Sequence, residues 1–183
     1  MTVPPSSGLG SRAPDFALPD LHGDTVRLAD VRGERGTVIM FICNHCPYVR
    51  SVIGRIAEDS RALLDEGVGV AAIMSNDHRA YPDDAPDKMR AFAAEHGLPF
   101  PYLLDESQKV ARAFDAVCTP DFFGYDSDLV LRYRGRLDAS KTTLVAGAPR
   151  ELLEAMRQIA ATGAAPFEQT PSMGCSIKWK SSA

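Results

Sequence analysis

VIMFICNHCPYVR, residues 38–50, holds the change of period that decides the fold. From Thr37 to Ile42 every residue is β-branched or apolar. A strand apolar on both faces belongs in the middle of a covered sheet. From Tyr48 the spacing becomes helical. Val49, Val52, Ile53, Ile56, Ala57, Leu63 and Leu64 recur at i, i+3, i+4 and i+7, which predicts one buried helix face ending before Gly67. Val68 to Met74 is a second continuous apolar strand. Cys43-Asn44-His45-Cys46 therefore sits where a buried strand hands over to an amphipathic helix.

Working outward, Phe16–Leu18 and Thr25–Leu28 flank a turn at His22-Gly23-Asp24 and predict a hairpin. Residues 77–87 (DHRAYPDDAPD) read as a loop, and Met89, Phe92 and Ala93 as a helix stopped at Gly97. Tyr102–Leu104 is a short strand. Asp105 followed by Gln108 predicts a capping box for a helix carrying Val110, Ala111 and Phe114. Asp121–Tyr125 and Leu129–Tyr133 form a hairpin around Asp126-Ser127-Asp128. A last helix, opened by Pro149 and closed by Gly163, carries Leu152, Leu153, Met156, Ile159 and Ala160. The expected fold is α/β: a central mixed β-sheet with helices on both faces, an N-terminal β-hairpin extension and a C-terminal tail. Residues 1–12 are expected to be a flexible arm, 13–163 the domain, and 164–183 a tail packing on it through Phe167, Ile177 and a buried Trp179.

The 183 residues suit one core, and 45% of them are hydrophobic. Lys+Arg 20 against Asp+Glu 24 gives a net charge of −4, which excludes a basic nucleic-acid footprint. No apolar run approaches the ~20 residues a membrane span needs. Residues 1–11 show no basic segment before an apolar stretch, so the expected location is cytoplasmic. Four cysteines are too few to staple a mini-domain but enough for a redox or metal site.

At the strand–helix junction, free N–H groups and the helix dipole favour a thiolate. Cys43 is expected to be the exposed nucleophile, and Cys46, one turn on, the resolving thiol. His45 would favour the thiolate further as a nearby donor or cation, and Pro47 fits the first helical turn. Cys118 and Cys175 are single and distant, not a second CxxC, so four-cysteine zinc is disfavoured. Cys118 reads either as a small buried residue or as an accessory to the site, and Cys175 is expected to approach Cys118 or the CxxC pocket. His22, His78 and His96 show no metal-ligand spacing. Asp77 and Asp105 are the carboxylates whose loop positions offer a base for the resolving thiol.

Six segments carry a family resemblance: APDFALPDLHGDTVRLAD (13–30), VIMFICNHCPYVR (38–50), FPYLLDESQKVARAF (100–114), CTPDFFGYD (118–126), YRGRLD (133–138) and PSMGCSIKWK (171–180). They resemble the thioredoxin-like superfamily, in the peroxiredoxin-like (AhpC/TSA, redoxin) and TlpA-like branch. The resemblance implies that Thr119–Pro120 is a cis peptide facing the CxxC, with the Thr119 backbone pairing an extended substrate segment. It also implies a thiol–disulfide oxidoreductase needing no organic cofactor or metal. Partners would be a disulfide-containing protein or small thiol substrate and a thiol reductant or reductase, with no nucleic acid or membrane. Asn44, Pro47, Cys118 and Cys175 would border the groove. Three positions depart from the pattern. Gly36 and Met40 stand where a peroxiredoxin has Pro and a hydroxyl residue, and Thr37 where thioredoxin has a buried carboxylate. The alternative functions are a thiol peroxidase, with Cys46 or Cys175 as resolver, and a copper or zinc chaperone using Cys43, Cys46 and His45.

Overall fold

The strand predicted from Thr37 becomes the centre of the sheet. In the computed structural model, which describes residues 1–4, 8–166 and 168–181, β3 (Thr37–Phe41) is buried at all positions. Before it come β1 (Ala17–Pro19), β2 (Thr25–Arg27) and a one-turn α1 (Leu28–Val31). After it come α2 (Pro47–Asp65), β4 (Gly69–Met74), a 3-10 turn at Pro82–Asp84, α3 (Pro86–His96) and β5 (Tyr102–Leu104). The second half holds α4 (Lys109–Ala113), β6 (Cys118–Thr119), β7 (Asp121–Tyr125), β8 (Leu131–Tyr133), α5 (Glu151–Thr162) and β9 (Cys175–Ser176).

The main sheet runs in the order β5-β4-β3-β7-β8. β3, β4 and β5 are parallel, and β7 and β8 are antiparallel to their neighbours. Strand side chains alternate faces, so β3 feeds two cores. Val38, Met40 and Ile42 meet α2 (Val49, Val52, Ile53, Ile56), α3 and α5. Ile39 and Phe41 meet Leu28 and Val31 of α1 and Ala111 and Phe114 beside Phe123. Each such aliphatic side chain contributes about 1.5–3 kcal/mol on full burial. The mixed sheet with helices on both faces is the expected architecture.

Register fixes where the site lies. Phe41 pairs with Asp121, so the residues just before β7 face the residues just after β3. That brings the Thr119–Pro120 bond, which is cis, opposite Cys43–Cys46.

Three local expectations change. The segment after residue 8 is tied down: Gly10 N–H donates to Leu131 O at 2.8 Å and Ala13 N–H to Leu129 O at 2.9 Å. Thr2 also bridges to Gly174. The capping box at Asp105 does not form, because Gln108 takes a left-handed conformation (φ 61°). The Asp105 carboxylate instead accepts the Ala111 N–H at 2.9 Å and the Ser75 hydroxyl at 3.0 Å. In the tail, Ile177 is the buried anchor. Trp179 lies at the surface beneath the Arg112 guanidinium, 4.3 Å from its ring centre, because a planar cation can cover an indole without burying it. Phe167 lies outside the described residues.

Candidate active site

α2 begins at Pro47, whose missing N–H costs nothing at that position. Cys46 is therefore the N-cap, and its carbonyl accepts the Val49 and Arg50 N–H groups at 3.0 and 2.9 Å. Cys43 lies three residues earlier, at the end of the β3 run. Both sulfurs are fully buried. The expectation of an exposed Cys43 is thus corrected. The Thr119 side chain packs directly against it.

One residue organises the thiols. The Thr119 hydroxyl lies 3.3 Å from Cys43 Sγ, and the Thr119 carbonyl lies 3.1 Å from Cys46 Sγ, positioned to accept its S–H. The Thr119 backbone does not face an open groove. It is paired antiparallel with β9, with Cys175 directly opposite. The edge expected to receive substrate is filled by the chain's own tail. Gly174 permits this approach: a Cβ there would stand 2.0 Å from Thr119 O.

The two sulfurs hydrogen-bond each other and release their protons as a pair. The hydrogen bond from Cys43 holds Cys46 down to about 4, against the opposing effect of burial; Cys175 and Thr119 add to the lowering. Cys43 is raised by its hydrogen bond to Cys46, by burial and by the nearby Asp84 charge. The Thr119 carbonyl favours the thiol form of Cys46, but the donors directed at that sulfur outnumber this one acceptor. The resting charge therefore sits on the N-cap sulfur, where the helix dipole also acts.

The carboxylate at the site is Asp84, not Asp77 or Asp105. Fully buried, it accepts the Asn44 N–H at 2.8 Å and the His45 N–H at 3.4 Å through Oδ1. Its Oδ2 pairs with His45 Nδ1 at 2.7 Å and accepts from Asn76 Nδ2 at 2.8 Å. Asn44 is pinned further by the Tyr102 hydroxyl at 3.0 Å and the Asp83 carbonyl at 3.0 Å. His45 stacks on Tyr81 with ring centres 5.8 Å apart. The two residues between the cysteines are thus held rigid from below. Sequence spacing gave no signal for Asp84, which is distant in the chain and lies on an irregular loop. Asp77 lies along the tail, its N–H donating to Lys178 O at 2.8 Å.

Donor atoms of Cys43, His45 and Asp84 lie within 4.8 Å of one another. This set differs from the expected Cys43, Cys46 and His45, and both Asp84 oxygens already hold N–H groups. A cation there would have to break the bonds that shape the Asn44–His45 turn. Cys118 is buried beneath the site, its S–H directed at Pro120 O at 3.5 Å. Burial, with Asp121 nearby, pushes this thiol up.

A CxxC at a strand–helix junction, facing a cis-proline on a mixed sheet, defines a thioredoxin-like protein. The sequence model of the AhpC/TSA family matches residues 9–139, and the chain belongs to that family of oxidoreductases. It is 29% identical over 130 residues to "Peroxiredoxin Bcp" of Escherichia coli strain K12, covering 71% of this chain and 78% of that protein. It is 25% identical over 120 residues to "Thiol-disulfide oxidoreductase ResA" of Bacillus thuringiensis, covering 66% and 65%. Among solved structures, an uncharacterized conserved protein from Geobacillus kaustophilus is 45% identical with a TM-score of 0.92, covering 100% of this chain and 97% of that one. A thioredoxin domain from Bacteroides vulgatus, 20% identical with a TM-score of 0.59 over 70% and 89%, shares the fold.

Proposed function

We propose that the protein exchanges disulfides, with Cys43–Cys46 cycling between dithiol and disulfide. The observation that carries this is the buried Cys43–Cys46 pair, each sulfur within 3.3 Å of a Thr119 oxygen, held against the cis Thr119–Pro120 peptide. The expected roles remain workable with the charge at rest on Cys46. That sulfur takes the Cys43 proton along their hydrogen bond as Cys43 attacks. The resulting Cys46 S–H is received by the Thr119 carbonyl. Cys43 forms a mixed disulfide with the substrate, and the departing substrate thiolate takes the Cys46 proton. Cys46 then attacks Cys43, and the second substrate sulfur leaves and is protonated by water. No organic cofactor or metal enters these steps.

His45 and Asn44, fixed by Asp84, position the Cys43–Cys46 turn. Because β9 occupies the Thr119 edge, the reading favours a small disulfide as substrate over an extended polypeptide. A dithiol reductant restores the pair, which suits a reducing, cytoplasmic setting. Among the described residues no helix is long and apolar enough to cross a membrane.

A second reading, peroxide reduction at Cys43, draws on the family and on one contact. The Thr119 hydroxyl at 3.3 Å supplies a hydroxyl beside Cys43 although Met40 carries none.

The test is turnover of glutathione disulfide and of hydrogen peroxide with dithiothreitol as reductant. Disulfide turnover should exceed peroxide turnover and fall by about three orders of magnitude in Cys43→Ser and Cys46→Ser. Peroxide turnover alone would move the assignment to the second reading. Activity surviving in Cys43→Ser would overturn both.

A further inference from the structure

Antiparallel partners directly opposite each other project to the same face of a ribbon, while the next pair projects to the other. In the β6–β9 ribbon the pairs are Thr119 with Cys175 and Cys118 with Ser176. Thr119 directs its hydroxyl to Cys43 and its carbonyl to Cys46. The face carrying Cys175 is therefore the face that looks at the redox pair, and Cys175 and Cys46 are close enough to bias each other's ionisation.

The tail is docked there by many bonds. Ile177 N–H donates to Val117 O at 3.1 Å, Lys178 N–H to Asn76 Oδ1 at 2.9 Å and Lys180 N–H to Gln108 Oε1 at 2.8 Å. Thr2 and Gly174 exchange two backbone hydrogen bonds at 2.9 and 3.2 Å. β9 thus lies where a substrate strand would add to the sheet edge. Burial separates the three sulfurs: Cys43 and Cys46 have no exposed surface, whereas Cys175 is only partly buried.

We propose that β9 is a built-in substrate strand and that Cys175 is a third redox residue, carrying the oxidised state from the buried pair to the surface. The step rests on the disulfide exchange proposed above, since it starts from the Cys43–Cys46 disulfide. The Cys175 thiolate attacks Cys46 Sγ, the Cys43–Cys46 bond breaks and a Cys46–Cys175 bond forms. Cys43 leaves as a thiolate and takes up the proton that Cys175 gave up. No electrons are gained or lost, so the step needs no further oxidant. Two of the causes that hold Cys175 protonated, the hydrogen bond to Cys46 and its charge, vanish once Cys46 is in a disulfide. Burial still raises the thiol, and the Lys178 charge still lowers it. The product leaves Cys43 free and places a disulfide within reach of a dithiol reductant.

The experiment is oxidation of the full chain with diamide, an acid quench, alkylation of the remaining thiols and peptide mapping. Wild type should give the Cys43–Cys46 disulfide together with a cross-link between the peptides holding Cys46 and Cys175. Cys43→Ser should collect the Cys46–Cys175 form, and Cys175→Ser should give Cys43–Cys46 alone. In Cys175→Ser, steady turnover with dithiothreitol should drop at least about tenfold. Gly174→Val, which drives a side chain into Thr119 O while sparing every thiol, should lose the cross-link. If wild type forms Cys43–Cys46 but neither it nor Cys43→Ser forms Cys46–Cys175, the proposal falls and the exchange reading stands. If no Cys43–Cys46 disulfide forms, the exchange reading falls and takes the proposal with it.

Discussion

Two faces of the β6–β9 ribbon carry one cysteine each, and they have opposite fates. Cys175 shares its face with Thr119 and meets the Cys46 sulfur. Cys118, its neighbour across the pleat, points away among buried groups, near Pro120 O and the Asp121 charge. The two are adjacent in space, yet a period of two places one in the redox chemistry and the other in the packing. Proximity to an active site is therefore a poor guide to a thiol's role. The face it projects from is a better one.

The largest expected effect lies in the ionisation of the two faces. Thiolate absorbance of the reduced chain should rise in a first step near pH 4, as the pair loses the proton that Cys46 holds at about 4. A separate rise should come in the alkaline range, where burial and the Cys46 contact push Cys175 up to about 11. Cys46→Ser should remove the first step and Cys175→Ser the second. A single transition near the ordinary thiol value of ~8.5 would erase the distinction.

The next effect is on stability on the Cys118 side. Burial pushes Asp121 up to about 7, against the pull of Arg134 3.6 Å away. An unfolded aspartate titrates near ~3.9. Between those values the folded chain keeps a proton that the unfolded chain has lost, so stability falls as pH rises from ~4 to ~7. Urea unfolding across that range should show the decline, and Asp121→Asn should flatten it. A decline unchanged in Asp121→Asn would assign it elsewhere.

Gly174→Val should lower stability by about 1–3 kcal/mol through the clash with Thr119 O. Calorimetry gives the loss, and hydrogen exchange should show the tail opening while β7 stays protected. The smallest effect belongs to Cys118→Ala. It should cost about 1 kcal/mol and leave disulfide turnover unchanged. A turnover defect there would mean that the inward face also takes part.

Much of this arrangement was legible in the chain itself. The β-branched and apolar β3, the switch to helical spacing and the CxxC between them follow from local periodicity, which survives folding because the two cores β3 feeds impose it. Thr119–Pro120 carries no period, and only family resemblance assigned it to the site. Asp84 was invisible, since a long-range contact from an irregular loop leaves no spacing to read. β9 is two residues long, too short for any alternation to register, and its role comes from the edge it meets. The expected exposure of Cys43 failed for the same reason: the groups that cover it come from distant segments. Trp179 shows the reverse error, because apolar size alone predicted burial where an arginine provides cover instead.

Asn76 joins two parts of the molecule with one amide. Its nitrogen donates to Asp84 Oδ2 and its oxygen receives the Lys178 N–H. Asp84 in turn holds the backbone of Asn44 and the ring of His45. If the tail lifts, the buried Asn76 oxygen is stripped of its donor, a loss of about 1–3 kcal/mol unless water replaces it. Relaxing that amide loosens its grip on Asp84. Undocking of the tail and softening of the turn between the cysteines are therefore one cooperative event, and the chain's end acts as a latch on the floor of its own active site.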